Sequence, residues 1–277
     1  MTMRAPTSPS AITPTPAEER DPTLDVLRGF AVLGILLVNI ELFRGGYYQR
    51  LAGDAYPMGW LDQAVTMGTL WLADGKFISP LAFLFGMGTG MQAVRATARG
   101  RRPMGMLARR YAILLLLGLG HLIFLWHGDV LTMCALVAFL LLPFTRVRAR
   151  TAILSGLGLL LVATALVTLS SPPADPSDGA RWLAAQAEAE SAYNHGGVAD
   201  QVGQRLLDAD RLTGNSRHIG VIVPAMMLLG LGAARAGLSE RIAEQRPVLV
   251  RFAVAGLVVG LPLNAVIVLD GMVESGA

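Results

Sequence analysis

Apolar residues run in long blocks along this chain and seldom alternate with polar ones. The blocks lie at 29–43, 77–94, 111–126, 130–144, 151–170, 219–234 and 248–269. A bilayer crossing needs about 20 predominantly apolar residues in a helix, so this spacing predicts an all-α bundle of about seven transmembrane spans. A further apolar stretch at 58–73 is bracketed by Asp62, Asp74 and Lys76. Joined to 77–94 it would be too long for one upright crossing, which suggests a tilted extension or an interfacial helix.

The polar residues between the blocks give the orientation. Six arginines (95, 99, 101, 102, 109 and 110) crowd the segment 95–110, Arg146, Arg148 and Arg150 follow the fourth block, and Arg235, Arg241, Arg246 and Arg251 follow the sixth. The intervening segments differ: 127–129 is His-Gly-Asp, and 171–217 carries seven acids against four arginines. Basic loops face the cytoplasm, so the alternation predicts a cytoplasmic N-terminus. Residues 1–24, with five prolines among Ser, Thr and charge, read as a disordered cytoplasmic tail. Residues 25–271 form a multi-span membrane domain with an extracytoplasmic insert at 171–217, and 272–277 form the C-terminal end. In the insert, 180–193 and 198–212 read as short amphipathic helices, the second with Val198, Val202 and Leu206 every fourth residue.

Composition narrows the class. Of 277 residues 53% are apolar and 16% charged, and the mean hydropathy is +0.51. Soluble domains carry about 25% charged residues, so a soluble enzyme or a nucleic-acid binder is a poor fit. A pI near 9.4 changes nothing here, because the basic residues sit in short loops between apolar runs. One cysteine, Cys134, excludes an internal disulfide and multi-Cys metal sites. The chain contains no GxxxxGK[ST], GxSxG, HExxH or CxxC motif.

Ionisable groups at membrane depth are costly, and they line cavities or pair with one another. Asn39 lies eleven residues beyond Arg28, and His121 eleven beyond Arg110, which puts both about 16 Å from the inner surface. Lys76, the one lysine, opens the second span at its outer end, and Asp129 opens the fourth as a helix cap. A neutral His can act as general base with a carboxylate fixing its tautomer, while Lys76 or Asn39 could stabilise an oxyanion. Each also has a plain structural reading: an interhelical hydrogen bond for His121, a simple cap for Asp129, a snorkelling anchor for Lys76. His127 and His218 fall at the water boundary and read as solvated. On the inner side, Asp25 and Arg28 can pair at i, i+3, and Arg28, Arg109 and Arg110 could hold a phosphate-bearing ligand.

Four runs resemble a known family. Thr23-Leu-Asp-Val-Leu-Arg-Gly-Phe through Asn39 is similar to the opening of YeiB-type membrane proteins, the domain of unknown function number 418. Lys76-Phe77 with Phe83-Leu-Phe-Gly86-Met-Gly88 looks like their second motif. Gly118-Leu-Gly-His121 with Trp126-His-Gly128-Asp129-Val-Leu131 looks like their third, and Met226-Met-Leu-Leu-Gly230 with Arg235-Ala-Gly237 resembles a later segment. The chain departs from the pattern at Cys134, where the family often has Tyr. It also reaches Ala277 without the Gly-Arg-x-Ala-Leu-Thr-Asn-Tyr-like motif of further spans, as a truncated member would.

That family is similar to a wider group of transmembrane acyltransferases. The resemblance implies a protein of the bacterial cytoplasmic membrane that moves an acyl group from cytosolic acyl-CoA to an extracytoplasmic or lipid acceptor. It implies His121 as the catalytic group, with Asp129, Lys76 and Asn39 around it. Arg28, Arg109, Arg110 and Asp25 stand at the donor side. The expected partners are the lipid bilayer, acyl-CoA as donor substrate and the acceptor, with self-association allowed, no nucleic acid and no permanently bound cofactor or metal. The alternative is a transporter or flippase that binds a small solute or lipid precursor in the same polar cavity.

Overall fold

A computed structural model describes residues 22–43, 48, 51–52, 59–169, 178–215, 219–238 and 241–275. Among them are ten α-helices and no strand: α1 (Pro22–Phe43), α2 (Trp60–Leu72), α3 (Ile78–Ala98), α4 (Pro103–Phe124), α5 (Val130–Leu141), α6 (Ala149–Leu169), α7 (Asp178–His195), α8 (Val198–Asn215), α9 (Ile219–Arg235) and α10 (Ile242–Ser275). The expected tail lies outside the described residues up to position 21, and His218 lies outside them as well.

Every one of the seven apolar blocks is helical. Among the described residues four helices (α1, α4, α6 and α10) are long and apolar enough to cross a membrane. The block 130–144 is shorter as a helix than its hydropathy suggests. Pro143 has no N–H to donate, so α5 stops at Leu141 and a 3-10 turn runs over Pro143–Arg146. Twelve residues rise only about 18 Å, against about 30 Å of hydrocarbon. The block 248–269 extends the other way: α10 starts at Ile242 and continues through Pro247 and Pro262.

The stretch 58–73 forms a helix of its own. Gly75, at φ +69°, makes the left-handed turn that separates α2 from α3. Phe77 then leans back onto α1, where its ring fills the space over Gly34 and meets Phe30 edge-on at 5.5 Å. α2 also reaches α10, Trp71 Nε1 donating to the Leu261 carbonyl at 2.9 Å.

α9 is the hub of the bundle. It packs on α3, α6 and α5, and Val223, Met227, Leu228 and Leu231 are among the most deeply buried side chains. In lipid the hydrophobic effect does not drive helices together, so close backbone approach and dispersion contacts must do so. At the α3–α9 crossing the main chains meet directly. A Cβ on Gly86 would fall on the Met227 carbonyl, and one on Gly230 on the Phe83 carbonyl. Next to this crossing Ala82, Cys134, Val137, Leu141 and Val223 complete the core, and a second cluster joins Ala93, Leu107, Tyr111 and Ala138. There the Thr89 and Tyr111 hydroxyls hydrogen-bond at 2.8 Å, so neither polar atom is stranded.

Gly86→Val and Gly230→Val are therefore expected to force the two backbones apart, at a loss of about 1–3 kcal/mol or more. Thermal unfolding in detergent should show both variants melting well below the native protein. Gly256→Val, where a Cβ meets no atom within 4 Å, should melt with it. Equal melting of all four proteins would contradict this packing.

Candidate functional site

The α4–α5 hairpin carries the site. Gly118 lets α4 approach α5 so closely that a Cβ there would lie 2.6 Å from the Thr132 nitrogen. α4 then ends as the His121 carbonyl accepts the N–H groups of Leu125 and Trp126, at 2.9 and 2.8 Å. Asp129 starts α5 from an extended backbone (φ −68°, ψ 121°) and caps it. Its Oδ1 accepts from Leu131 N at 3.2 Å and its Oδ2 from Thr132 N at 2.6 Å. These are helix N–H groups with no partner inside the helix, and a carboxylate there also meets the favourable end of the dipole.

The same Oδ1 lies 2.9 Å from His121 Nδ1. The Asp129 side chain is wholly buried, and that of His121 is 34% exposed. Nδ1 is buried without an aligned hydrogen-bond partner, so the contact is short but bent. It is an electrostatic approach of the two groups in which the N–H does not point along the Nδ1–Oδ1 line. Because Nδ1 is buried, the exposed part of the ring leaves Nε2 as the nitrogen open to a ligand. Two further polar atoms of this hairpin, Trp126 Nε1 and Thr132 Oγ1, are buried with no hydrogen-bond partner. A buried unpaired donor is costly, and it marks a place where a ligand or water oxygen would be welcome.

The other outer candidates make contacts of their own. The Lys76 ammonium donates to the Leu70 and Asp74 carbonyls at 3.4 and 3.1 Å, closing the end of α2. Burial pushes its pKa down, and Asp74 acts in the opposite direction. Asn39 is half-buried on α1, which lies against α3 and α2, whereas α4 lies against α5, α8 and α3. The outer ends of the two helices meet through the rings of Phe43, one turn beyond Asn39, and Trp126, at 4.3 Å.

The basic candidates also divide. Arg28 donates to Asp25 at 2.8 Å and to the Leu84 carbonyl at 3.5 Å, over Gly88, fastening α1 to α3. Arg109 and Arg110 line a different feature, a cavity of about 580 Å³ at the α3–α4 turn, together with Arg101 and Arg102. Met106 and Ile113 give it an apolar side, and no acid lines it among the described residues. The Arg110 guanidinium also lies 5.9 Å from the Phe85 ring centre.

The insert contributes residues that sequence reasoning missed. Asp208 of α8 is 2% exposed. Its Oδ1 accepts from the Tyr48 hydroxyl and from Gln204 Nε2 (2.7 Å), and its Oδ2 from the Tyr193 hydroxyl (2.7 Å). Burial and then the bond to Asp208 raise the pKa of both tyrosines, keeping them protonated donors. His127 Nδ1 faces the same carboxylate at 4.0 Å, with its ring against Trp126. The expectation of a solvated His127 fails, because the insert covers it and leaves its side chain 14% exposed. The available signal was Gln204, Asp208 and Arg211 at i, i+4 and i+7, a polar stripe on one helix face.

Burial holds the His127 pKa below its ordinary value; Asp208 opposes this and Arg205 adds to it. The unfolded chain then takes up the proton first. Stability from this group is full above about pH 6.5 and is lost as pH falls through that value toward the folded pKa. His127→Gln should flatten the decline in melting temperature between pH 7.5 and 5.5, and an unchanged slope would contradict the assignment. Separately, Asp129→Ala should lose about 1 kcal/mol of cap energy while Asp129→Asn keeps it, Asn being an equally good cap. Chemical unfolding of the two variants reads the difference, and equal loss in both would speak against capping.

The comparisons with known proteins point to one family. The chain is 32% identical over 271 residues, 91% of its length, to the uncharacterised protein YxaH of Bacillus subtilis (strain 168), covering 67% of that protein. It is 30% identical over 239 residues to the uncharacterised protein YeiB of Escherichia coli (strain K12), covering 79% of this chain and 57% of that one. An uncharacterised 39.9 kDa protein from Bacillus acidopullulyticus is 32% identical over 148 residues, 53% of this chain and 40% of its own. The chain thus spans between 40% and 67% of the length of these relatives. No family model and no solved structure matches it. With its all-helical, apolar architecture and these bacterial relatives, the chain belongs to the YeiB-type family and fits a membrane protein of unknown function.

Proposed function

We propose that the protein is a transmembrane acyltransferase of the bacterial cytoplasmic membrane. In this reading seven helices cross (α1, α3, α4, α5 with its 3-10 turn, α6, α9 and α10), the α3–α4 turn is cytoplasmic, and the α4–α5 turn and the insert lie outside. The observation that carries it is the approach of the wholly buried Asp129 carboxylate to His121 Nδ1 at 2.9 Å, with the rest of the imidazole open. A carboxylate this close would orient the imidazole as a base once the ring turns to align its Nδ1–H with Oδ1.

The donor is acyl-CoA, a substrate and not a resident group. Its phosphates suit the acid-free cavity of Arg101, Arg102, Arg109 and Arg110, since guanidinium forks donate to phosphate in pairs. Arg110 and His121 are eleven residues apart on one helix, close to three full turns, so they share a face about 16 Å apart. In this scheme an extended donor arm runs along that face, past Leu117, from the arginine cavity toward His121. Arg28 and Asp25 serve the α1–α3 contact in this scheme and stay out of the donor's way.

The acceptor hydroxyl or amine attacks the thioester carbonyl while His121 Nε2 takes its proton. Trp126 Nε1 and Thr132 Oγ1 are the donors available to the oxyanion, a role Lys76 gives up by binding main-chain carbonyls. The intermediate then expels the CoA thiolate, which recovers the proton from the imidazolium. Asn39, from α1, stands as a candidate on the acceptor side.

Membranes containing the protein, which also hold its acceptor, should release CoA thiol from labelled acetyl-CoA and retain the label. His121→Ala should reduce the rate by about 10² or more, the usual contribution of a general base. Equal release by native protein and His121→Ala would remove the enzyme reading. Solute counterflow in liposomes without CoA would favour transport.

A further inference from the structure

The insert touches the site at two points, both on the segment that joins His121 to Asp129. Arg205 Nη1 of α8 donates to the Ile123 carbonyl at 3.3 Å. That carbonyl belongs to the last turn of α4, where carbonyls lack partners within the helix and a cation meets the negative end of the dipole. Arg205 is itself held, its Nη2 on Gln201 Oε1 at 3.4 Å and its guanidinium 5.7 Å from the Tyr193 ring centre. The second point is His127, which faces Asp208.

Asp208 is a fixed point. Three hydrogen bonds from Tyr48, Gln204 and Tyr193 hold it, one from each of three separate parts of the chain, and Arg211 approaches it at 3.8 Å. A carboxylate that only needed satisfying inside α7–α8 would have no reason to face the hairpin. Here one of its oxygens looks at an imidazole two residues before Asp129, while Arg205 grips a carbonyl two residues after His121. The Arg205 bond and the packing of Asp208 beside His127 bracket the turn whose shape sets the distance and angle between the His121 ring and Asp129.

We infer that Arg205 and Asp208 are positioning residues: through the Ile123 carbonyl and His127 they hold the 121–129 turn in the shape that places His121 against Asp129. The insert is in this view a brace for the site. The catalytic consequence rests on the acyltransferase reading above; the mechanical claim does not.

The test labels the full chain with 5-fluorotryptophan and reads Trp126 by 19F NMR, each signal assigned by Trp→Phe replacement. Trp126 lies within the braced turn, against His127, whereas Trp60 and Trp71 belong to α2. Arg205→Gln and Asp208→Asn should shift or broaden the Trp126 signal and leave those of Trp60 and Trp71 in place, and Arg205→Lys should restore it in part. Should Asp208→Asn fail to fold, Arg205→Gln alone decides, since it removes a single contact to the hairpin. A Trp126 signal identical to native in folded Arg205→Gln overturns the inference. Where acyl transfer is measurable, Arg205→Gln should lower kcat at least tenfold with KM for acetyl-CoA unchanged, because the donor cavity lies at the other end of α4. A rise in KM alone would contradict it. Absence of acyl transfer altogether would sink the enzymatic reading while leaving the NMR result to decide the brace.

Discussion

The bundle depends on the direct contact of two main chains, α3 and α9, at Gly86 and Gly230. Apolar side chains alone cannot select one helix pairing in a lipid environment, since every helix offers them equally to lipid and to protein. Backbone approach can, because only a glycine on each side permits it. With α9 fixed against α3, its other faces receive α6 and α5. α5 then carries its partner α4 through the Gly118–Thr132 contact. The position of the candidate site is thus two close helix contacts removed from the glycine crossing, and no flexible segment intervenes.

At the far end of that chain of contacts, Asp129 serves two purposes at once. Both its oxygens accept the free N–H groups of α5, and one of them also faces His121. A cap fixed by helix geometry is a rigid way to hold a carboxylate beside an imidazole, because moving it would leave two helix N–H groups without their partner. The arrangement explains why a helix-capping residue and a candidate catalytic orienter coincide in a single Gly-Asp pair. The opposite end of α4 has the complementary character: arginines gathered around one acid-free cavity.

Much of this was legible in the sequence. The seven apolar blocks were readable because each is a continuous run, and the cap at Asp129 because a carboxylate before an apolar helix has few other uses there. Lateral neighbours were not. Rise per residue puts Asn39 and His121 at one level but says nothing about which helices touch; α1 packs chiefly on α3, and its end meets the end of α4 through Phe43 and Trp126. The central place of α9 was equally hidden, since its hydropathy resembles that of helices at the edge. The Asp208 network joins residues up to 160 positions apart, and no local pattern encodes such a contact. The partners of Lys76 were hidden too: a lone charge draws notice in the sequence, but its reach to the main-chain carbonyls at the end of α2 does not show there.

The most direct test of the account is a cryo-EM structure of the protein with a non-transferable thioether analogue of acetyl-CoA. The account predicts phosphate density among Arg101, Arg102, Arg109 and Arg110, with room between the acyl carbon and His121 Nε2 for an acceptor atom about 3–3.5 Å from the carbon and within hydrogen-bond reach of the nitrogen. Analogue bound elsewhere, or an imidazole closed off by apolar side chains with no room for an acyl group, would contradict it.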